Sequence, residues 1–413
     1  MYMMNDSLMR NMPPMLNMGR LKDCMTIKPI YDDSIRNENQ VTRLMALSDI
    51  YTIYIPAQMS FEIYSKLYLA LVRSLQKKTL QIAVKQRYEN YKAIKQQEYR
   101  GIMGGADSFT IIGDSGIGKS SAINRVTNLI CVNEIIEVEE TKIIPILNVQ
   151  CPWDSSVKGL LLEIMRKVDE KLGTQYYLSA VKARTATIDT FIGAVSTIAL
   201  NNIGVLIVDE IQNVVNSKNG KNLIGMLTQL INNSGISICM VGTPECIPFF
   251  EQAMQLARRS LGLQYNKMPY GECFEEFCKT IFEYQYVKNK TEITPAIIEW
   301  LYEHSAGVVS VVVSLIHDAQ EITILNGKEI LNIETLNEAY KERLSLLHSY
   351  IQPTVSVGKI KHKKKKTAAV MNNQSVQAKD DLTIKEMVEK SKAENIDIVD
   401  ILKSNIAITE VSI

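Results

Sequence analysis

Two features of this 413-residue chain predict an α/β fold. Short β-branched runs, Phe109–Ile112, Ile143–Val149, Ile203–Val208 and Ile236–Val241, alternate with helix-like stretches. That alternation marks a parallel sheet covered by helices on both faces. Beyond Pro269 the pattern turns helical, over Glu272–Val287, Pro295–His304, Val308–Leu325 and Ile333–Leu347, which predicts a small all-α unit after the sheet.

The flanks carry less information. Residues 1–55 hold scattered Met, Asn and Pro without a period, as expected of an irregular or partner-ordered arm. Residues 56–100 show apolar positions at i, i+3, i+4 and i+7 between Lys, Arg and Gln, one long helix or two leading into the core. The expected division is therefore an arm (1–55), a helical extension (56–100), an α/β core (101–269), a helical lid (270–350) and a basic linker with a partner-binding tail (351–413). Within the tail, Lys359–Lys366 is a run of like charge that cannot pack on itself. It serves solubility, non-specific affinity for DNA, or as a hinge before the partner-binding tail.

Composition excludes several classes. No apolar run approaches the roughly 18 residues that span a bilayer. The formal charge of +1 neither demands nor forbids a nucleic-acid partner, so any DNA contact must be local. Seven cysteines, an odd number without a CxxC pair, read as reduced thiols. The Met-rich N-terminus lacks the continuous apolar core of a signal peptide, and a cytoplasmic protein is expected.

The most specific segment is Gly113-Asp114-Ser115-Gly116-Ile117-Gly118-Lys119-Ser120, followed by Ser121. It fits G-x-x-x-x-G-K-[ST], lies between a strand and a helix, and predicts a phosphate-binding loop. Glycines let backbone N–H groups turn toward phosphate oxygens, Lys119 offers charge to the terminal phosphates, and Ser120 a hydroxyl to Mg²⁺. The run Val205-Leu-Ile-Val-Asp209-Glu210 ends a buried strand in two carboxylates. Asp209 is expected to hold the Mg²⁺ shell and Glu210 to orient or deprotonate the attacking water. The implied activity is hydrolysis of ATP with Mg²⁺.

These motifs resemble the AAA+ class, which implies a parallel five-stranded sheet plus a small all-α lid. AAA+ proteins place a polar sensor at the end of a third strand, and Thr243 is the candidate; the alternative is that Thr243 caps the helix begun by Pro244. Arg258 and Arg259 end a helix, where one would reach a neighbouring subunit's nucleotide as an arginine finger; the alternative is complementation of the helix dipole. The lid pattern G-x-x-R is broken, since Gly307-Val-Val-Ser310 puts a serine in place of the arginine. A lid-borne sensor arginine is not expected.

The segments GDSGIGKSSAINR, LIVDEIQNV, MVGTPE, ARRSLG and YGECFEEFCKTIFEYQ together resemble TnsC, the AAA+ regulator of heteromeric transposons, related to TniB and more distantly to IstB. The resemblance spans about residues 50–350. It implies a bacterial, nucleoid-associated ATPase that forms a homo-oligomeric ring or helical filament on double-stranded DNA. It also implies partners: a targeting factor of the TnsD/TniQ type and a transposase of the TnsB/TnsA type, with hydrolysis controlling disassembly. For DNA contact the candidates are Trp153 and Lys158 after the second strand, with Lys182 and Arg184; each also fits an interface or solvated role. Two other functions share the core: a protein-binding signalling or secretion switch, and a helicase loader or replication initiator. The stretch after Pro353 lacks the length and period of an initiator's winged helix.

Overall fold

The structure is a computed structural model and describes residues 12–79, 108–138, 141–183, 186–215, 217–252 and 262–345. All belong to a compact unit, Met1–Val357; the basic run and tail expected beyond Pro353 lie outside the described residues.

The sheet contains β1 (Phe109–Gly113), β2 (Ile136–Val138), β3 (Thr141–Gln150), β4 (Ile203–Asp209), β5 (Ser237–Gly242) and β6 (Leu263–Tyr265), in the order β2-β3-β4-β5-β1-β6. Five of these strands run parallel, and β2 adds a sixth, antiparallel edge strand. The five-stranded expectation thus gains one strand, because a three-residue segment is too short to show a period. Every residue of β1, β4 and β5 is buried, as required of parallel strands covered on both faces.

Successive side chains of β4 go to opposite faces. Leu206 and Val208 join a core with Leu160, Ile164, Val195 and Leu227. These come from α5 (Val157–Leu172), α7 (Ile188–Asn202) and α8 (Gly220–Ser234), with α6 (Tyr176–Lys182) alongside. Val205 and Ile207 enter a second core with Leu67, Leu71, Ala122 and Val126, from α3 (Gln58–Thr79) and α4 (Lys119–Ile130). Local signals set the helix ends: Ser156 caps α5 by accepting from the Gly159 N–H, and Gly173 closes it.

After α9 (Ile247–Gln252) come α10 (Glu272–Phe282), α11 (Pro295–Ser305), α12 (Val309–Leu325) and α13 (Ile333–Arg343), a helical unit at the positions expected. The first of these ends five residues before the expected Val287. There Gln320 replaces helical bonding, accepting from the Tyr286 N–H at 2.7 Å and donating to Tyr284 O at 3.0 Å. Among the described residues no single helix is long and apolar enough to cross a membrane.

Residues 12–55 of the segment expected to be an irregular or partner-ordered arm fold onto the body. This stretch contains α1 (Met18–Met25) and α2 (Gln40–Ala46). Leu21 and Met25 are buried against α3 and α4, whereas Leu47, Ile50 and Ile53 are buried in the core of the helical unit. Its few apolar anchors serve two different cores, so they show no single period. A polar anchor joins them: Arg43, 2% exposed, donates to both carboxylate oxygens of Glu329 at 2.6 Å and to Tyr286 O at 3.0 Å. The guanidinium holds the Glu329 carboxyl below its usual range.

Removing one partner of a buried pair leaves the other charge uncompensated. Arg43→Ala is expected to cost about 3–5 kcal/mol, read as a lower urea midpoint. Because folding lowers the Glu329 pKa, the pair's contribution is complete above the ordinary glutamate value and is lost as pH falls through the folded one. The gap between wild type and variant should narrow in acid.

Candidate active site

Strands β1, β4 and β5 end at one edge, with Ile112 paired to Gly242 and Val208 to Met240. From β1 the chain enters the Gly113–Ser120 loop, where Gly116 (φ +79°) and Gly118 (φ +95°) adopt left-handed conformations. Gly118 is the N-cap of α4, so the first N–H groups of that helix face the loop's concavity. Lys119 folds back over the loop, its Nζ donating to Gly113 O at 2.7 Å and Asp114 O at 2.8 Å. Burial pushes the Lys119 ammonium down, and the carboxylates of Asp209, Glu210 and Asp114 oppose that shift.

Ser120 Oγ donates to Asp209 Oδ2 at 3.0 Å. The sequence separates these residues by 89 positions; the sheet brings them together. Glu210 follows at φ +57°, a conformation costing a non-glycine residue about 1–2 kcal/mol. Its N–H donates to Asp209 Oδ1 at 2.8 Å, and its carboxylate accepts from Gln212 Nε2. Thr243 stands at the head of the turn begun by Pro244, but its hydroxyl makes no capping bond and pairs with the Glu245 carboxylate.

These groups enclose a cavity of about 260 Å³, lined by Ser115, Lys119, Ser120, Asp209, Glu210 and Thr243 among others. A second cavity of about 270 Å³ adjoins it and shares Gly116, Gly118, Ser121 and Ser310. Its walls are mostly apolar, with Ile53, Tyr54, Ile55, Met268, Phe277 and Val313. A polar basin opening into an apolar slot matches the two halves of a nucleotide. Sequence reasoning missed the slot because Ile53–Ile55 precedes the first motif by some 60 residues; the compact Ile-Tyr-Ile run was the available signal. It also passed over Gln212, which lines the basin.

At the serine that replaces the lid arginine, the Ser310 N–H donates to Gly116 O at 3.1 Å. The first turn of α12 therefore rests directly on the loop.

Trp153, 86% exposed, projects from a tightly fastened turn. The Cys151 N–H donates to Asp209 O at 2.8 Å, Asn213 Nδ2 donates to Cys151 O at 2.9 Å, and Ser217 Oγ donates to Asp154 O at 2.7 Å. Lys158 is exposed in the first turn of α5, its Nζ 5.5 Å from the Phe191 ring centroid, and Lys182 is exposed at the end of α6. None of the three lines the basin. Arg184, Arg258 and Arg259 lie outside the described residues.

The sheet, loop and acid pair define a P-loop ATPase of the AAA+ class. The family model described as "Bacterial TniB protein" matches residues 67–267, and over that span the chain is TniB-like. A comparison with curated proteins gives no match. Among solved structures, the Aeropyrum pernix ORC1 protein in complex with DNA is similar at 15% identity over 67% of this chain and 69% of that one, with a TM-score of 0.42. Drosophila ORC bound to DNA is similar at 12% identity over 82% and 72% of the two chains, with a TM-score of 0.44. Domain III of the Thermotoga maritima replication initiation protein DnaA is similar at 17% identity over 65% and 91%, with a TM-score of 0.35. These structural likenesses are remote, and the family match carries the assignment.

A Cβ at Gly116 would lie 2.3 Å from Ser310 Oγ, whereas one at Gly118 would meet nothing within 4 Å. Both positions carry the left-handed cost of about 1–2 kcal/mol, so the difference between them isolates the docking of α12. Gly116→Ala should lower the urea midpoint more than Gly118→Ala does.

Proposed function

We propose that this chain is an ATP-dependent regulator of transposition. It oligomerises on double-stranded target DNA, links a TnsD/TniQ-type targeting factor to a TnsB/TnsA-type transposase, and uses ATP hydrolysis to disassemble. The observation that supports the chemical part best is the meeting of Ser120 and Asp209 beside the open N-terminus of α4. The TniB match supports the biological part.

A hydroxyl and a carboxylate, both hard oxygen donors, form a set suited to Mg²⁺. Ser120 and Asp209 would hold that ion, which when bound supplies positive charge to the phosphate oxygens. Lys119 has a short swing from its two carbonyls to the terminal phosphates, and the amides of the Gly113–Ser121 stretch would cradle them. Glu210 faces the same basin as general base or water-orienting group. The Thr243 hydroxyl would contact the terminal phosphate, and Arg258 or Arg259 would complete a neighbouring subunit's site. The base would sit in the apolar slot beside Tyr54 and Phe277.

For DNA, the reading assigns sequence-tolerant contacts to Trp153, Lys158, Lys182 and Arg184. Such binding depends on phosphate charge, so it should weaken steeply with salt.

Lys119→Ala is expected to abolish retention of a fluorescent ATP analogue. Glu210→Gln should bind it normally while turnover falls by about 10²-fold or more. With the Gln variant and ATP, long duplexes of unrelated sequence should shift into large, salt-sensitive complexes. Normal hydrolysis by Glu210→Gln would remove the assignment of the base, and a lack of ATP-dependent duplex binding would remove the transposition reading.

A further inference from the structure

The basin contains one polar side chain to which the hydrolysis scheme gives no task. Gln212 lies two residues beyond Glu210, lines the same cavity, and donates from Nε2 to the Glu210 carboxylate. Its other end is more telling: Gln212 Oε1 is buried and, among the described residues, has no hydrogen-bond partner. Burying an acceptor without a donor is unfavourable, so something must hold the carboxamide in this orientation. Turning it over would free the acceptor but set oxygen against the carboxylate oxygens of Glu210. The bond to Glu210 therefore fixes the amide, and the amide in return fixes the carboxylate.

The neighbouring strand makes room for this arrangement. A Cβ on Gly242 would lie 3.0 Å from Gln212 Oε1 and 2.7 Å from the buried Ile211 Cγ2. The bare end of β5 thus acts as a seat for the carboxamide. Glu210 itself is exposed to the cavity and begins at a left-handed backbone position, so its carboxylate has several rotamers available. The Gln212 amide is the one side-chain donor on that carboxylate among the described hydrogen bonds.

We infer that Gln212 is a positioning residue for ATP hydrolysis, acting through Glu210 by holding its carboxylate at the angle needed to engage the attacking water. This rests on the reading of Glu210 given above. Misplacing a reacting group by about 1 Å can cost on the order of 100-fold in rate, while ground-state binding elsewhere in the pocket is untouched.

The test measures kcat and KM for ATP, and Kd for a fluorescent ATP analogue, in wild type, Gln212→Met, Glu210→Gln and the double variant. Methionine keeps the length and loses the donor. Gln212→Met should lower kcat by about 10- to 100-fold with Kd unchanged within about twofold. In the Glu210→Gln background it should lower the residual rate no further, because the group it acts through is already gone. Should the Met variant fail to fold, Gln212→Asn, which keeps the amide and shortens its reach, should show the same loss of kcat at unchanged Kd.

Wild-type or faster turnover in a folded Gln212 variant overturns the inference. So does a weakened Kd that accounts for the loss, or an equal loss in both backgrounds. If Glu210→Gln hydrolyses normally, the underlying reading of Glu210 fails as well; if that variant is impaired while Gln212→Met is not, only the present inference fails.

Discussion

The hydrogen bond between Ser120 and Asp209 spans a gap in the sheet. Asp209 ends β4 and Ser120 opens α4, the helix that follows β1; β1 and β4 are not neighbours, since β5 lies between them. Strand β5 ends there in Gly242, where a Cβ would press on Ile211 Cγ2 and Gln212 Oε1. The parallel register places all three strand ends at one edge, and the crevice outside that edge is where open α/β sheets bind ligands. The cation, the acid pair and the loop amides are brought together by this alignment and by nothing local in the sequence.

The helical unit and the N-terminal segment complete the pocket from the other side. Arg43 clasps Glu329 across nearly three hundred residues of sequence, while Leu47, Ile50 and Ile53 extend the core of the helical unit. The same segment then lays Tyr54 and Ile55 along the apolar slot. The N-terminal segment therefore supplies one wall of the slot. Docking of Ser310 on Gly116 uses a main-chain bond where a lid arginine would otherwise project, so the lid meets the phosphate loop through its backbone.

Much of this was legible in the sequence, for identifiable reasons. The meeting of the loop and the acid pair was readable because both motifs restrict residue type at fixed spacing, and β1, β4 and β5 because double burial makes them continuous apolar runs. The helices after Pro269 followed from their period. What escaped depends on distance in sequence. Residues 12–55 looked patternless because their anchors enter two cores; β2 and β6 are three residues long; and Gln212 acquires meaning only beside Gly242, thirty positions later. Thr243 heads a turn as its context suggested, yet its hydroxyl turns to Glu245, which neither spacing nor type revealed.

The turn bearing Trp153 is anchored at Cys151, whose amide bonds to the residue before Glu210 and whose carbonyl bonds to a residue three beyond it. Glu210 is thus gripped on both flanks by a segment whose tip is an indole standing in solvent. That geometry ties the exposed indole to residues on either side of Glu210. Pro152 alone separates Trp153 from Cys151, and two hydrogen bonds at Cys151 close the remaining distance to Asp209 and Asn213.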